Sequence, residues 1–530
     1  MKQFGFIALL VLVLVSNVLI IRIQFSAANE IDSICGKLSI AGQDSIQNSD
    51  FDYYAEVRSF KLQGLLEMFD NRDIGFIENP AFDDSVRHLD VINREPEFST
   101  DQGRYNVNQQ SINTIREKFI NDKEALIDIF VCDSCSYFFV LTSDTFHLVN
   151  VSVTRDSLRQ WIKSITEPLY QAKGLLSLEF KVDVAHKMYQ QFFRPVEEYL
   201  DECEALIIVP DNLLIGFPFE CLVVNPGIAN EQKKIKYQQF ENTRFLIHQY
   251  AISYNYSTSI SLRGAESLQS SKNLGRRLIT LGSIKDHPEE HNYSHLDVLQ
   301  ESPFAKDEIY KVTRLLWRYD SFTGDDLTND ILRNNSSNHR WVYLTTPVMI
   351  QSDQVDSSFI YLGVDETSHA IKKITIDDIL ECKFRSDMIT LTRITLESTE
   401  NLRSLVSIPE ALLFAGARSV LHNLWRINDV SLSRFMSRYY YELKYKRETN
   451  AKALKVAKIS SFKGTIFVDD IELSRAHPYF WATYILIGDP HVISPTFSSV
   501  PPRMVITIVY VIVLLLSFLI VRKTRIKQTE

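Results

Sequence analysis

Residues 410–425 read Glu-Ala-Leu-Leu-Phe-Ala-Gly-Ala-Arg-Ser-Val-Leu-His-Asn-Leu-Trp, and this stretch decides the fold. Its first half follows Pro409 with apolar residues at helical spacing, and Gly416 supplies the positive φ that closes a helix. Residues 419–425 then form a largely apolar run of strand length. A second such strand lies within 477–489 and is stopped by a Gly-Asp pair. Repeated helix-to-strand units predict an open, mostly parallel α/β sheet flanked by helices.

The composition sets limits on size and partners. The chain has 530 residues, of which 45% are hydrophobic and 11% aromatic, so a substantial core and more than one domain are expected. The formal net charge is −9, which leaves no broad basic surface. We therefore expect no nucleic-acid partner, and no motif indicates a cofactor.

Both ends of the chain have the composition of membrane segments. Residues 504–521 are apolar except for Thr507, Tyr510 and Ser517, and the basic residues of 522–530 follow at once. This pattern predicts a single-pass transmembrane helix with a short cytoplasmic tail and an extracytoplasmic main domain. Residues 1–28 predict a signal peptide that ends in small residues, with an uncleaved anchor as the alternative.

Six cysteines are spread over the chain, which permits disulfides in an exported domain but does not specify their pairing. Cys132 and Cys135 lie between two apolar runs and predict a hairpin turn. A redox or zinc site would need a helix start or a second cysteine pair beside them. The adjoining strands, from residue 125 onward, predict a small β-meander.

Three stretches together resemble the CHAT domain (caspase-like, TPR-associated), which has a peptidase-like α/β fold. They are residues 206–222, residues 414–425 with Asp429 after them, and residues 477–489. The resemblance extends from about residue 187 to 489 and more loosely back to residue 125. It implies a caspase-like sheet in which one strand is followed by a catalytic His and the next by a catalytic Cys. In such a pair, the imidazole lowers the pKa of the thiol and later protonates the leaving group.

Both catalytic positions are substituted in this sequence. The first loop, at residues 343–348, places Pro347 where the resemblance implies the His, and the second, at residues 391–396, places Ile394 at the Cys. Neither side chain can act as a base or a nucleophile. No His or Cys lies within 342–352 or 386–400, so a shift of one residue does not restore the pair.

Other nucleophiles remain as alternatives. The loops contain four threonines, but a hydroxyl needs a paired base, so hydrogen-bonded strand ends are the favoured interpretation. Cys382 and His339 precede their strands and are expected at the opposite edge of the sheet. We interpret His422, Trp425 and His477 as packed residues. The threonines are Thr345, Thr346, Thr392 and Thr395.

Three histidines, His287, His291 and His295, are spaced four residues apart and would share one face of a helix. Such a face could bind zinc. Pro288 and the polar residues after His291 favour an irregular loop instead. We therefore predict no metal site and keep these three histidines as weak candidates.

These patterns predict a membrane-anchored pseudoenzyme that binds a protein partner and needs no cofactor. The alternative is an active cysteine or threonine hydrolase with a relocated nucleophile. The predicted fold class is α/β: a caspase-like, mostly parallel sheet, a smaller N-terminal α+β region and a C-terminal transmembrane helix. The predicted segments are a signal peptide or anchor (1–28), a poorly defined N-terminal region (29–124), a β-meander with a helix (125–186), the CHAT-like domain (187–495), the transmembrane helix (504–521) and a basic tail (522–530).

Overall fold

The computed structural model describes most of the chain between residues 120 and 492. The described residues are 116, 120–227, 235–255, 278–282, 305–315, 319–335, 337–351, 357–365, 370–396, 404–405, 407–492 and 510. Most of the predicted segments 1–28 and 29–124 lies outside them, as do His287, His291 and His295.

The described strands and helices alternate along much of the chain. The strands are β1 (Glu124–Val131), β2 (Ser136–Thr142), β3 (Phe146–Val151), β4 (Ala205–Val209), β5 (Val223–Asn225), β6 (Arg244–Phe245), β7 (Ala251–Tyr254), β8 (Leu278–Gly282), β9 (Tyr319–Thr323), β10 (Trp341–Leu344), β11 (Val348–Ile350), β12 (Phe359–Val364), β13 (Ile371–Thr375), β14 (Met388–Leu391), β15 (Ile394–Leu396), β16 (Ser419–Asn423), β17 (Thr465–Val468), β18 (Ile471–Ser474) and β19 (Tyr484–Gly488). The α-helices are α1 (Arg155–Tyr170), α2 (Val182–Met188), α3 (Arg194–Glu197), α4 (Ala305–Leu315), α5 (Ile331–Asn335), α6 (Ile376–Leu380), α7 (Ser407–Phe414), α8 (Asp429–Tyr441) and α9 (Asn450–Ser461).

One 11-stranded sheet organises the structure, in the order β3-β2-β1-β4-β7-β19-β16-β14-β10-β8-β9. Strands β1, β4, β7 and β19 run parallel to one another, and β16, β14, β10, β8 and β9 form a second parallel group. The two groups meet where β16 pairs antiparallel with β19. The prediction of a mostly parallel sheet is therefore confirmed.

The helix-to-strand unit of the opening stretch forms as predicted. Helix α7 ends in two hydrogen bonds, from Gly416 N–H to Leu413 O and from Ala417 N–H to Leu412 O, both of 3.0 Å. This is the pattern of a Schellman cap, and Gly416 has the positive φ of +106° that such a cap requires. Strand β16 follows two residues later and is buried along its whole length.

The second predicted unit differs in its helix. Residues before β19 form a single 3₁₀ turn, Pro478–Phe480, whose first N–H groups are capped by His477 Nδ1 accepting from Tyr479 N–H at 3.1 Å. Proline is tolerated at the first position of such a turn, because its missing N–H would have no partner there. The helical segment is a 3₁₀ turn of three residues, shorter than the helix of the first unit. Strand β19 then ends at Gly488, as predicted.

Helix α8 covers one face of the central strands. Tyr440 shares a hydrogen bond of 2.9 Å with Thr390 of β14, and Phe435 stacks on Tyr484 of β19 with ring centroids 5.0 Å apart. The central strands β14, β16 and β19 are buried on both faces. Continuous burial of this kind is typical of a parallel sheet with helices on both sides.

The prediction of a transmembrane helix is not supported by the helices that the structure describes. Among the described residues, no helix is long and apolar enough to cross a membrane. The longest of them, α1, has 16 residues and would span about 24 Å, less than the roughly 30 Å of a hydrocarbon core. Of the predicted span 504–521, only Tyr510 belongs to the described residues.

The predicted hairpin at Cys132 and Cys135 is confirmed. Strands β1 and β2 pair antiparallel, and Cys132 N–H donates to Cys135 O across the turn at 3.0 Å. Cys132 itself is disulfide-bonded. The other described cysteines are not in disulfides; they are Cys135, Cys203, Cys221 and Cys382.

An ion network joins the N-terminal meander to the end of the central sheet. His491 Nε2 lies 2.6 Å from Glu124 Oε2, and its Nδ1 lies 3.2 Å from Asp489 Oδ1. Asp489 also pairs with Arg418, whose guanidinium reaches Asp387 at 3.0 Å. Burial alone would lower the pKa of His491, but hydrogen bonds to Asp489 and Glu124 raise it to about 9.

We expect His491→Gln to remove a pH-dependent part of the stability. Because the folded-state pKa of His491 lies above the unfolded value of about 6.5, its contribution is complete below pH 6.5 and is lost as the pH rises toward 9. The loss in unfolding free energy should reach about 2–3 kcal/mol at pH 6 and be smallest near pH 9.5. Urea unfolding at pH 6, 7.5 and 9.5 measures it. A difference that stays constant with pH would contradict the assignment, and Glu124→Gln should flatten the profile only partly.

Candidate functional site

The two loops implied by the resemblance meet at one edge of the sheet. Strands β10 and β14 are parallel neighbours, with Leu344 beside Leu391 at their carboxyl ends. Pro347 follows the first strand and Ile394 the second, and Val348 pairs with Ile394 where the two segments continue side by side. The structure thus brings Pro347 and Ile394 to the same edge.

Backbone contacts fix Ile394 in place. Its N–H donates to Asn423 Oδ1 at 2.7 Å, and Asn423 Nδ2 donates to Ile394 O at 2.9 Å. The Asn423 amide therefore imitates a neighbouring strand along this residue. Ile394 is 1% exposed, and Pro347 is buried, so neither position is open to solvent.

A second, small sheet lies beyond this edge, which the sequence did not predict. Its strand order is β13-β12-β11-β15, and β11 and β15 are the direct continuations of the two loops. Val348 N–H donates to Arg393 O at 3.0 Å, and Tyr361 N–H donates to Pro347 O at 2.8 Å. These bonds tie the loops into a β-ladder rather than leaving them as free loops.

A buried ion cluster takes up the side-chain space beside the loops. Arg393 donates to Glu308 of α4 at 3.2 Å and to Asp429 at the start of α8 at 3.0 Å. Tyr343 donates its hydroxyl to Glu308 at 2.6 Å. The side chains of Arg393 and Glu308 are 5% and 1% exposed, so one buried guanidinium is held between two carboxylates.

Burial and ion pairing shift the pKa values of Glu308 and Arg393 in opposite directions. Burial raises the pKa of Glu308, while Arg393 and the hydrogen bonds from Tyr343 and Thr392 oppose the rise. Burial disfavours the charge on Arg393, yet the two carboxylates hold its pKa above the usual value. The cation is therefore permanent, and the cluster depends on it.

Two of the four loop threonines, Thr345 and Thr392, make structural hydrogen bonds. Thr345 donates to Leu281 O and Thr392 to Leu344 O, each at 3.3 Å. Thr346 is fully buried and Thr395 half-buried. Thr345 thus directs its hydroxyl to a backbone carbonyl of a neighbouring strand, and the hydroxyl of Thr392 lies within reach of both Leu344 O and the Glu308 carboxylate.

Three residues interpreted as packed are buried, as predicted. His422 is fully buried beside Leu391, and burial lowers its pKa to about 4. Trp425 donates its indole N–H to Tyr479 O at 3.0 Å. Burial likewise lowers the pKa of His477 to about 3, so both imidazoles are neutral at physiological pH.

Cys382 and His339 precede their strands, at the amino ends. Cys382 is 1% exposed and its thiol lies 3.3 Å from Asp378 O. His339 contacts Asp320 through Nε2 at 2.8 Å. Because parallel strands share their edges, both residues lie at the edge opposite to Pro347 and Ile394.

Within the described residues, no group of three or more His, Cys, Asp or Glu side chains could hold a metal ion. The three weak metal candidates, His287, His291 and His295, lie outside those residues. The prediction of no metal site thus stays a prediction.

The fold and its edge define a class of protein. A mostly parallel sheet with helices packed on it, in which the loops after two adjacent strands meet at the carboxyl edge, is an open α/β fold. The sequence profile of the CHAT domain family matches residues 182–489, more than half of the chain. The chain belongs to the CHAT domain family.

Two solved structures show a partial similarity to this chain. The separase of a Saccharomyces cerevisiae separase-securin complex has a TM-score of 0.44 and 10% identity, covering 84% of this chain and 34% of that one. The Arg-specific cysteine proteinase gingipain R has a TM-score of 0.32 and 11% identity, covering 64% and 74%. This chain thus spans about a third of the separase length. No curated protein matches the sequence significantly.

Proposed function

We propose that this CHAT-domain protein is a catalytically inactive, peptidase-like module that binds a protein partner. The observation that carries the proposal is the pair Pro347 and Ile394 at the carboxyl edge of β10 and β14, where the resemblance places the catalytic His and Cys. A prolyl ring cannot accept a proton, and an isoleucine side chain cannot attack a carbonyl.

The surroundings of this edge support the proposal. A nucleophile must be reached by its substrate and needs a base within hydrogen-bond distance. Ile394 is buried and tied to Asn423, and the nearby polar space is filled by Arg393 with its two carboxylates. The neighbouring imidazole, His422, is buried and has a low pKa, with its Nδ1 beside Asn423 O at 3.2 Å.

An exported location is the second part of the proposal. Disulfides persist in oxidising compartments and are rare in the cytosol, so the disulfide at Cys132 favours export. Alkylation of the protein taken directly from cells, without reduction, should leave Cys132 unmodified. Quantitative alkylation of Cys132 under those conditions would contradict an oxidising compartment.

We expect the purified full chain to hydrolyse no peptide bond. A mixture of peptides covering all residue types before the scissile bond should remain uncleaved above the rate of a buffer blank, because the edge offers no paired nucleophile and base. Mass spectrometry of the mixture provides the measurement.

Two substitutions test the alternative function, a hydrolase with a relocated nucleophile. Cys382→Ala and Thr392→Val remove the two relocated nucleophiles of the alternative, and both should leave the background rate unchanged. Turnover that co-purifies with the chain and disappears in one of these variants would overturn the proposal and identify the nucleophile. Turnover that persists unchanged in both variants would come either from another group of this chain or from a contaminating peptidase. A second purification by a different route distinguishes these two sources, because only a contaminant would be removed.

A further inference from the structure

Helices α4 and α8 present a surface that combines exposed aromatic rings with basic side chains. Tyr310 and Arg314 belong to α4, and Arg434, Arg438 and Tyr441 belong to α8. Tyr445 lies on the π-helical turn Glu442–Lys446 that continues α8. Tyr310 is 58% and Tyr445 55% exposed, which is unusual for large aromatic side chains in a folded domain. We call this set the basic-aromatic surface.

Direct contacts hold the two helices together as one surface. Ser433 of α8 donates to Asp307 of α4 at 3.2 Å and accepts from Lys311 Nζ of α4 at 3.0 Å. The two helices therefore lie side by side. Arg314 lies 5.4 Å from the centre of the Tyr310 ring, and Arg438 lies 5.8 Å from that of Tyr441. The rings of Tyr441 and Tyr445 are 5.0 Å apart. Cations and rings therefore alternate along the surface.

The charge of this surface opposes that of the whole protein. Residues 305–315 and 429–447 contain eight basic and four acidic residues, while the full chain has a net charge of −9. Of the four acidic residues, Glu308 and Glu442 are buried, and Asp429 pairs with Arg393. The exposed carboxylate of Asp307 is engaged by Lys311 at 2.6 Å. Arg438 pairs with the buried Glu442 at 2.6 Å and Lys444 is buried, so the accessible basic side chains outside these pairs include Arg314, Arg434, Lys446 and Arg447. The surface is thus positive and suits an acidic, partly apolar occupant.

The chain itself contains such a segment. Residues 51–100 carry eleven acidic and five basic residues, so this stretch accounts for most of the negative charge of the protein. It also includes apolar residues, among them Leu65, Leu66 and Phe69, that can pack on exposed tyrosines. We propose that the acidic segment 51–100 of this chain docks on the basic-aromatic surface.

The covalent path is long enough for this contact. The described chain begins beside β2, where Arg116 Nε donates to Thr142 O at 3.2 Å. Strand β14, which α8 covers, lies six strand spacings from β2, or about 29 Å. Residues 101–115 can span up to about 50 Å when extended. The segment before them can therefore reach this surface of its own molecule.

Zero-length coupling of lysines to carboxylates in the intact protein tests the contact. A carbodiimide applied to the full chain should link Lys311 or Lys446 to carboxylates within 51–100, identified by mass spectrometry of the digest. The exposed pair Lys123 and Glu204, whose charged atoms are 3.0 Å apart, is the internal positive control. A formed control link without any link from Lys311 or Lys446 to 51–100 would overturn the proposal.

Charge reversal on the surface gives the second measurement. Arg314→Glu with Arg434→Glu should lower the yield of these links at least about fivefold, and 0.5 M salt should also lower it, because the attraction is electrostatic. Arg159→Glu with Arg333→Glu changes the net charge equally at exposed sites elsewhere and should leave the yield unchanged. Links that survive the first double variant would contradict the proposal.

Isotope mixing separates the possible occupants. If labelled and unlabelled chains are mixed before coupling, links within one molecule contain a single label, as we expect. Links that join a labelled with an unlabelled peptide would assign the surface to a second copy. Both that result and links formed only to a co-purifying acidic protein would overturn docking within one chain.

Discussion

Replacing Arg393 by Met should lower the unfolding free energy by about 3–5 kcal/mol, because it leaves the carboxylate of Glu308 buried without its cation. Methionine fills a similar volume and keeps the apolar contacts of the arginine stem, so lost packing contributes little. Asp429 is less affected, since its side chain is 20% exposed and can reach water. Urea unfolding followed by circular dichroism at pH 7 measures the difference.

The double variant Glu308→Gln with Arg393→Met identifies the cause. A neutral amide can still accept the hydroxyl of Tyr343, so removing both charges should recover more than half of the lost stability. If the double variant is as unstable as the single one, the loss comes from packing rather than from an unpaired charge. The pair Lys458 and Glu220, fully buried elsewhere, offers a parallel case for the same cycle.

The same cluster occupies the space beside the carboxyl ends of β10 and β14. A cysteine–histidine pair would need open space and water at the ends of β10 and β14. Here the space contains Arg393, which is paired with both Glu308 and Asp429. Such mutual pairing stabilises a fixed arrangement of the loops, which suits a binding module better than a site that must admit and release substrate.

The sequence predicted the elements whose signals are local. Residues 407–423 form a helix, a glycine cap and a buried strand because each signal acts over a few residues and agrees with its neighbours. The meeting of the loops after β10 and β14 followed from the geometry of parallel strands. The family could be recognised for the same reason, since its motifs are such local units.

Contacts between distant residues could not be predicted. Arg393 and Glu308 are 85 positions apart, and His491 and Glu124 are 367 apart, so no pattern in the sequence pairs them. Strands β11 and β15 have only three residues each, too few to show a period of two. The sequence signals for the ion cluster are an arginine, Arg393, two residues after the buried strand β14 and an aspartate, Asp429, at the start of a helix.

The loops also illustrate how apolar runs mislead. The sequence predicts a loop at residues 391–396 with strand ends around its threonines, but not a separate strand at 394–396, although β-branched Ile394 and Thr395 favour one. Once Val348 and Ile394 are neighbours, the two loops continue the parallel pairing of the strands before them. The small second sheet therefore extends the parallel pairing of β10 and β14 beyond their carboxyl ends.

Gly416→Ala should be among the most destabilising single substitutions in the chain, with a loss of about 3–5 kcal/mol. The residue has φ of +106°, which costs an L-residue about 1–2 kcal/mol, and an added Cβ would lie 2.4 Å from Phe384 O. That oxygen belongs to the backbone, and Phe384 N–H itself donates to Ala415 O at 2.7 Å. The two segments cannot separate without breaking this bond. Thermal and urea unfolding of the purified variants provide the measurement.

Alanine substitutions at two other glycines serve as controls that separate backbone strain at positive φ from the steric collision of an added Cβ. Gly363 has φ of +132° but open space around its Cβ position, so Gly363→Ala should cost only about 1–2 kcal/mol of backbone strain. Gly174 is extended, with Ser177 Oγ 4.0 Å from the added Cβ, so Gly174→Ala should be nearly neutral. If Gly416→Ala cost no more than Gly363→Ala, the close approach of residues 384 and 416 would be wrong. The need for glycine at position 416 would then come from its positive φ alone, and packing of residues 382–387 against the α7–β16 unit would not contribute to it.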